Sequence, residues 1–246
     1  MREVETGEIA FEGVRSPLIQ AGPAGDSEAV VFVHGNPGSR LDWHDLVGRV
    51  GEFGRALAFD MPGFGQADKP AGFDYTVEGY AAFVAAALDQ LGVERVHLVL
   101  HDFGGPFGVC WAAEHPDSFQ SAVLFNTGSM TNRRWHRMGK LWRRPLVGEL
   151  VMAITNRRAW RRAMNAGDAR PLPAEFVDRM YDDYDRGTRR AVLRLYRATD
   201  LPYPPASGWV ATLAQLDRPA LIVWGAKDPF VGPRRAEALK RAFPSA

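Results

Sequence analysis

The sequence has almost no cysteine: Cys110 is the only one among 246 residues. One thiol excludes a disulfide framework and any paired-cysteine metal site. Cys110 falls in an apolar stretch of helical periodicity, which predicts a buried and unreactive side chain.

Two further features are missing, namely an excess of one charge and a long apolar run. Lys and Arg total 30 and Asp and Glu total 29, so the balance argues against a nucleic-acid or other polyanionic partner. The first residues lack the apolar core of a signal peptide, and no run approaches the length of a membrane helix. We therefore expect a cytoplasmic protein with no membrane partner, and we predict neither a cofactor nor a metal.

Short apolar runs instead alternate with stretches of helical periodicity, which is typical of a parallel sheet covered by helices on both faces. The expected strands are 30–33, 56–59, 96–100, 122–125 and 220–224. The expected helices include 80–91, 107–115 and 234–242. The fold class predicted is therefore α/β, with a mostly parallel twisted sheet.

Residues 130–208 interrupt this alternation, because they lack strand-like runs and are rich in Arg, Trp and clustered Pro. We interpret them as a helical cap inserted into a core formed by residues 1–129 and 209–246. The front of the cap, 133–162, is strongly basic. A solvated helix face is the favoured interpretation, and the alternatives are steering of an anionic substrate or contact with an acidic lipid surface.

The turn from His101 to Gly105 follows the strand 96–100 and leads directly into a helix. Ligands of open α/β sheets bind beyond the carboxyl ends of the strands, and such a turn holds its central side chain, Asp102, out on a tight bend. A carboxylate attacks saturated carbon that carries a leaving group, whereas a serine-type esterase would need serine here. Alternatively, Asp102 only caps the helix that follows.

The loop after the strand 30–33 supplies the expected oxyanion hole. The backbone N–H groups of Asn36 and Phe103 are predicted to face Asp102, and the Asn36 side chain adds a donor for a departing halide. We expect His34 and His101 to be structural. The loop after the strand 220–224 places Asp228 where a triad acid would orient a histidine, although Asp before Pro is also a common turn former.

Together these motifs resemble the haloalkane dehalogenase and epoxide hydrolase branch of the α/β-hydrolases. The motifs are HGNPGS at 34–39, DMPGFGQADKP at 60–70, HDFGG at 101–105, FNTG at 125–128 and WGAKDPF at 224–230. The resemblance implies that Asp102 forms an alkyl-enzyme ester with a small apolar electrophile. Water, activated by a histidine–carboxylate pair, then hydrolyses the ester.

Asn36 favours the dehalogenase side of this resemblance, whereas Phe103 replaces the tryptophan whose indole N–H usually binds halide. Epoxide hydrolases use cap tyrosines as acids, and the cap offers four candidates between which the sequence does not choose. We expect Trp135, Tyr181 and Tyr184 to line the substrate pocket. Asn126, rather than an acid, follows the strand 122–125, which leaves Asp228 as the orienting carboxylate.

The resemblance also implies a histidine about 25–30 residues beyond Asp228 on a loop after one more strand, yet no histidine follows His136. The sequence allows three interpretations: a truncated chain, a catalytically inactive member of the fold that binds ligands, or a histidine taken from elsewhere. Without a further strand, the strand 220–224 becomes an exposed sheet edge, which predicts self-association.

Overall fold

The computed structural model describes residues 1–128, 130–131, 134–166 and 170–246, and places a seven-stranded sheet at the centre. The predicted boundary at residue 129 and the basic residue Arg133 lie outside the described residues. The strands are β1 (Glu5–Phe11), β2 (Val14–Ala21), β3 (Glu28–Val33), β4 (Arg55–Phe59), β5 (Arg95–His101), β6 (Phe119–Phe125) and β7 (Ala220–Val223).

The strands lie in the order β1-β2-β4-β3-β5-β6-β7. All pairs from β4 to β7 are parallel, whereas β2 runs antiparallel to both β1 and β4. The five strands predicted from the sequence are confirmed, and so is the α/β class. The hairpin of β1 and β2 is not among those predictions, because β1 is mostly exposed and polar; its signal is the turn Glu12–Gly13, where φ is 48° and 79°.

Ten α-helices are described, besides a short 3-10 helix at Arg40–Trp43. They are α1 (His44–Val50), α2 (Val77–Gln90), α3 (Gly104–Glu114), α4 (Arg137–Trp142), α5 (Val147–Ile154), α6 (Arg157–Met164), α7 (Ala174–Asp182), α8 (Arg186–Ala198), α9 (Ala206–Leu216) and α10 (Arg234–Leu239). None of the helices in this part of the chain combines the length and apolarity needed to cross a membrane.

Helix α2 shows how the sequence pattern becomes packing. The Thr76 hydroxyl caps its first turn by accepting the Gly79 N–H at 3.0 Å. Residues at helical spacing face the core, and the ring of Tyr80 stacks on Phe107 of α3 with centroids 4.3 Å apart. Helices α2 and α3 therefore pack side by side, which fixes α3 behind the carboxyl end of β5.

The cap comprises α4 to α8, and its seam with the core runs along the loop after β3. The Arg179 guanidinium of α7 donates to the Ser39 hydroxyl at 2.9 Å and pairs with Asp42 at 2.7 Å. Helix α9 crosses the predicted boundary between residues 208 and 209. It packs on α3 of the predicted core.

Candidate active site

Asp102 lies on the sharp turn between β5 and α3, with a backbone φ of 48°. This left-handed conformation is strained for most side chains but tolerated by Asp, and such strain is common at functional turns. A side chain at Gly104 would meet the carbonyl oxygens of Val33 and His34, the latter at 2.8 Å. The glycine therefore lets α3 begin directly against β3 and directs Asp102 away from the sheet.

The loop that follows β3 contacts the Asp102 carboxylate directly. The Asn36 N–H donates to Asp102 Oδ1 at 2.9 Å. At Gly35 a Cβ atom would stand 2.8 Å from the same oxygen, so this position must be glycine for the loop to approach. Asn36 and Asp102 are thus brought together as predicted, and one oxygen of the carboxylate is held by a backbone N–H.

The side chain of Asn36 is unusual in its surroundings. Both its Nδ2 and its Oδ1 are buried, and neither has a hydrogen-bond partner among the described residues. A buried polar group without a partner costs about 1–3 kcal/mol, so such groups in native structures usually have a function or bind a ligand. The amide is therefore a donor left available beside Asp102.

Phe103, the second predicted member of the oxyanion hole, is buried beneath the cap. Its ring stacks on Trp135 with centroids 6.0 Å apart and meets Tyr196 edge-on at 5.2 Å. The side chain thus contributes an apolar wall to the site and no hydrogen-bond donor. Whether the Phe103 N–H serves as predicted stays a prediction.

Asp228 lies just beyond β7, at the same sheet end as Asp102. Its Oδ1 accepts the N–H groups of Phe230 at 2.7 Å and Val231 at 2.9 Å. Its Oδ2 accepts the Asn126 amide at 2.5 Å. Because β5, β6 and β7 are adjacent, Asp102 and Asp228 follow strands roughly 10 Å apart, a span that leaves room for an imidazole.

Asn126 has a positioning role that the sequence does not reveal. It follows β6 with φ 40°, between the loops of Asp102 and Asp228. Its Nδ2 donates to Asp228 while its Oδ1 accepts the Gly225 N–H at 3.0 Å, so one amide fixes the whole turn after β7. Its place at the end of the intervening strand was the available signal.

The histidines divide clearly by their contacts. His34 is buried, with Nδ1 2.9 Å from the Gly35 carbonyl oxygen and Nε2 accepting the Met61 N–H at 2.9 Å, which confirms its structural role. His101 is exposed at the end of β5, and its structural role stays a prediction. The two hydrogen bonds of His34 therefore hold its ring within the loops after β3 and β4.

His136, which the sequence did not single out, lies in the cap near the Asp228 turn. Its ring centroid is 5.6 Å from that of Phe230, and its Nε2 is 3.2 Å from the Tyr196 hydroxyl. Its Nδ1 accepts the Gly139 N–H at 3.2 Å. His136 thus pairs with Tyr196, and the Tyr196 ring in turn contacts Phe103.

The three predicted pocket residues have different surroundings. Trp135 lies over Phe103, beside the elbow. Tyr184 is buried and lines a small cleft with Pro37, and burial raises the pKa of its hydroxyl. Tyr181 lies farther out, where the Arg157 guanidinium stacks on its ring at 4.7 Å. Trp135 and Tyr184 therefore adjoin the site loops, and Tyr181 contacts other parts of the cap.

The loop after β4 is organised around one buried carboxylate. Asp60 is fully buried and accepts the Arg40 N–H at 2.7 Å, the Arg40 guanidinium at 2.5 Å and the Gln66 N–H at 2.7 Å. These contacts tie the loops after β3 and β4 together and so support Asn36. Among the described residues no group of three His, Cys, Asp or Glu side chains could hold a metal ion.

Comparison with known proteins agrees with this geometry. The family model for the alpha/beta hydrolase fold matches residues 28–246. A haloalkane dehalogenase of Agrobacterium fabrum is 38% identical over 140 residues, which is 54% of this chain and 45% of that enzyme. A cis-3-alkyl-4-alkyloxetan-2-one decarboxylase of Xanthomonas campestris is 28% identical over 261 residues, covering 95% of this chain and 83% of that enzyme.

Among solved structures, haloalkane dehalogenase DbeA from Bradyrhizobium elkani superposes with a TM-score of 0.82 at 24% identity. The match covers 98% of this chain and 87% of that one. At this identity the likeness shows the fold alone.

Proposed function

The chain belongs to the alpha/beta hydrolase fold family and is haloalkane dehalogenase-like, and we propose that its Asp102 displaces a halide from saturated carbon. The observation that carries the proposal is the Asp102 carboxylate on the elbow, with Oδ1 held 2.9 Å from the Asn36 N–H. A carboxylate suits attack at carbon, because the product is a stable alkyl ester.

In the first step the free oxygen of Asp102 attacks the carbon, and the carbon–halogen electron pair leaves with the halide. The buried Asn36 Nδ2 donates to the departing anion, which satisfies a polar group that has no partner among the described residues. The wall of Phe103 and Trp135 excludes water and accommodates an apolar chain. We therefore assign small haloalkanes as the substrate class.

In the second step water attacks the ester carbonyl, and negative charge develops on the oxygen next to the Asn36 N–H. A base must remove the proton of that water, and Asp228 stands where it would orient a histidine. The 246 residues contain no histidine after His136. Both ring nitrogens of His34 face loop partners, and those of His136 face the Tyr196 hydroxyl and the Gly139 N–H. We therefore propose that hydrolysis is slow in this chain and that the ester accumulates.

Intact-mass measurement after incubation with 1-bromobutane tests both parts of the proposal. We expect a mass gain of one butyl group and the release of one bromide per chain, followed by a slow return to the starting mass. Halide release over many turnovers without a detectable adduct would contradict the accumulation. A folded chain that gains no mass with any haloalkane would point to a ligand-binding protein instead.

Asn36→Ala tests the halide donor. The variant keeps the backbone N–H but loses the side-chain amide, so adduct formation should slow about ten- to hundredfold, the equivalent of one hydrogen bond to a charged group. The loss should be larger for chlorobutane than for iodobutane, because chloride is the poorer leaving group. Equal rates for native and variant chains would show that Asn36 does not contact the halide.

Opening of a strained oxygen ring is the second candidate function. Tyr196 packs against Phe103 and pairs with His136 at 3.2 Å, and these contacts favour it among the cap tyrosines as the proposed acid for a ring oxygen. The similar decarboxylase from Xanthomonas carries a strained oxetan-2-one ring in its name. Adducts formed with 1,2-epoxyhexane or a cis-dialkyl oxetan-2-one, but not with bromobutane, would favour this function.

We also propose that this chain self-associates through the exposed edge of β7. Leu221 is 57% exposed and Val223 is 38% exposed on β7, which pairs with β6 alone among the described strands. Leu221→Lys should shift the chain towards monomer in sedimentation velocity, because a charge on the edge opposes strand pairing. Phe53→Lys, at an exposed residue away from this edge, is the matched control and should change nothing. A native chain that stays monomeric at high concentration would contradict the proposal.

A further inference from the structure

Helix α5 of the cap presents an apolar face to solvent. Leu150 and Ile154 are 61% and 65% exposed, and Leu146, just before the helix, is 84% exposed. With Val147 they recur at the spacing that places side chains on one side of a helix. Apolar side chains clustered in this way mark interaction surfaces more often than isolated exposed ones do.

A groove of about 400 Å³ runs between α5 and α8 beside this face. Met152, Ala153 and Leu193 supply its apolar lining. Arg186 and Arg190 line it as well, and both are exposed. Within the described part of the chain, neither guanidinium makes a hydrogen bond or an ion pair, so both positive charges remain available to a ligand.

A third arginine in the groove has a structural role instead. The Arg189 guanidinium donates to the Tyr184 carbonyl at 3.0 Å and to the Met152 carbonyl at 2.7 Å. It therefore ties α8 to the end of α5 and keeps the groove in shape. Arg197 also ties α8 to α5, because it pairs at 2.7 Å with Glu149, another residue that lines the groove.

The charge of the whole chain conceals how unevenly it is distributed. Residues 130–208 contain 17 Lys or Arg against 8 Asp or Glu, whereas the rest of the chain contains 13 against 21. The cap is therefore strongly positive and the core negative. A symmetric contact between two caps would bring like charges together, which opposes a second copy as the occupant of the α5 face.

We propose that the cap binds the surface of an anionic phospholipid bilayer through the α5 face. Leu146, Leu150 and Ile154 enter the boundary between headgroups and acyl chains, while Arg186 and Arg190 contact the lipid phosphates. An exposed apolar strip beside available cations is the combination that holds a helix at an anionic interface, since burial and charge attraction add.

Vesicle co-sedimentation tests this proposal, with vesicles of one third phosphatidylserine and two thirds phosphatidylcholine compared with vesicles of pure phosphatidylcholine. The native chain should bind the anionic vesicles at least tenfold more tightly, and raising NaCl from about 0.1 to about 0.5 M should release it. The double variant Arg186→Gln/Arg190→Gln should weaken binding about thirtyfold, the equivalent of two surface cations. Arg234→Gln, an exposed arginine of the core, should leave binding unchanged.

The apolar part is tested by Leu150→Glu/Ile154→Glu, with Phe53→Glu as the control at an exposed core position. The double variant should abolish vesicle binding while circular dichroism shows an unchanged fold, and the control should bind like the native chain. Equal binding to neutral and anionic vesicles, or no loss in the double variant, would overturn the proposal. So would sedimentation without vesicles that the α5 substitutions abolish, because a second copy would then occupy the face.

Discussion

Asp102→Asn is expected to abolish alkyl-ester formation while leaving the fold intact. Asparagine has the same shape as aspartate. Its carbonyl oxygen can still accept the Asn36 N–H, which lies 2.9 Å from Asp102 Oδ1 in the native chain. The amide lacks the charge and the free oxygen pair that attack carbon, so the rate of adduct formation should fall roughly 10⁴-fold or more. Intact mass and bromide release, followed in parallel with 1-bromobutane, measure the loss.

Asp228→Asn is the comparison for that variant. This carboxylate also lies at the sheet end, but we propose that it orients the base of the second step, so the first step should retain most of its rate. If Asp102→Asn reacts as fast as the native chain, Asp102 is not the nucleophile. If both variants lose the first step equally, the two carboxylates do not have the separate roles proposed.

Gly104→Ala is expected to lower the free energy of unfolding by about 3 kcal/mol or to prevent folding. The added Cβ would meet the backbone carbonyl oxygens of Val33 and His34, the latter at 2.8 Å, and neither can rotate away. Urea unfolding followed by circular dichroism measures the change. A surviving folded fraction should also react more slowly, because the shift of α3 displaces Asp102.

Gly208→Ala is the matched control, since an added Cβ there meets nothing within 4 Å in helix α9. It should raise stability by about 0.5–1 kcal/mol, the usual gain from alanine in a helix. Similar stability for both variants would mean that the close approach at Gly104 does not constrain the elbow.

The motifs predicted more of the site than of its surroundings. Strand ends and glycines identify Asp102, Asn36 and Asp228, because the rule that ligands bind at the carboxyl ends of parallel strands needs only the order of the elements. Asn126 carries no charge, so the motifs do not predict a role for it, yet its amide holds Asp228. Hydrogen bonds between separate loops depend on side-chain directions that a sequence pattern does not give.

Contacts within the cap are equally hard to predict from the sequence. His136 and Tyr196 are 60 residues apart, so their pairing follows from how α4 and α8 pack and from no local pattern. The basic front of the cap leaves contact with an acidic lipid surface open as an alternative, but only the structure shows that the apolar face of α5 is exposed. The net charge of the chain does not reveal the positive cap, because the opposite charges of the cap and the core cancel in the sum.

The most direct test of the central claim is to locate the alkyl group after reaction with 1-bromobutane. Proteolysis and tandem mass spectrometry of the reacted chain should place one butyl group on the Asp102 side chain and none on Asp228. Mild base should remove it, as expected for an ester. A butyl group found on Cys110, on a histidine or on another carboxylate, with Asp102 unmodified, would contradict the account.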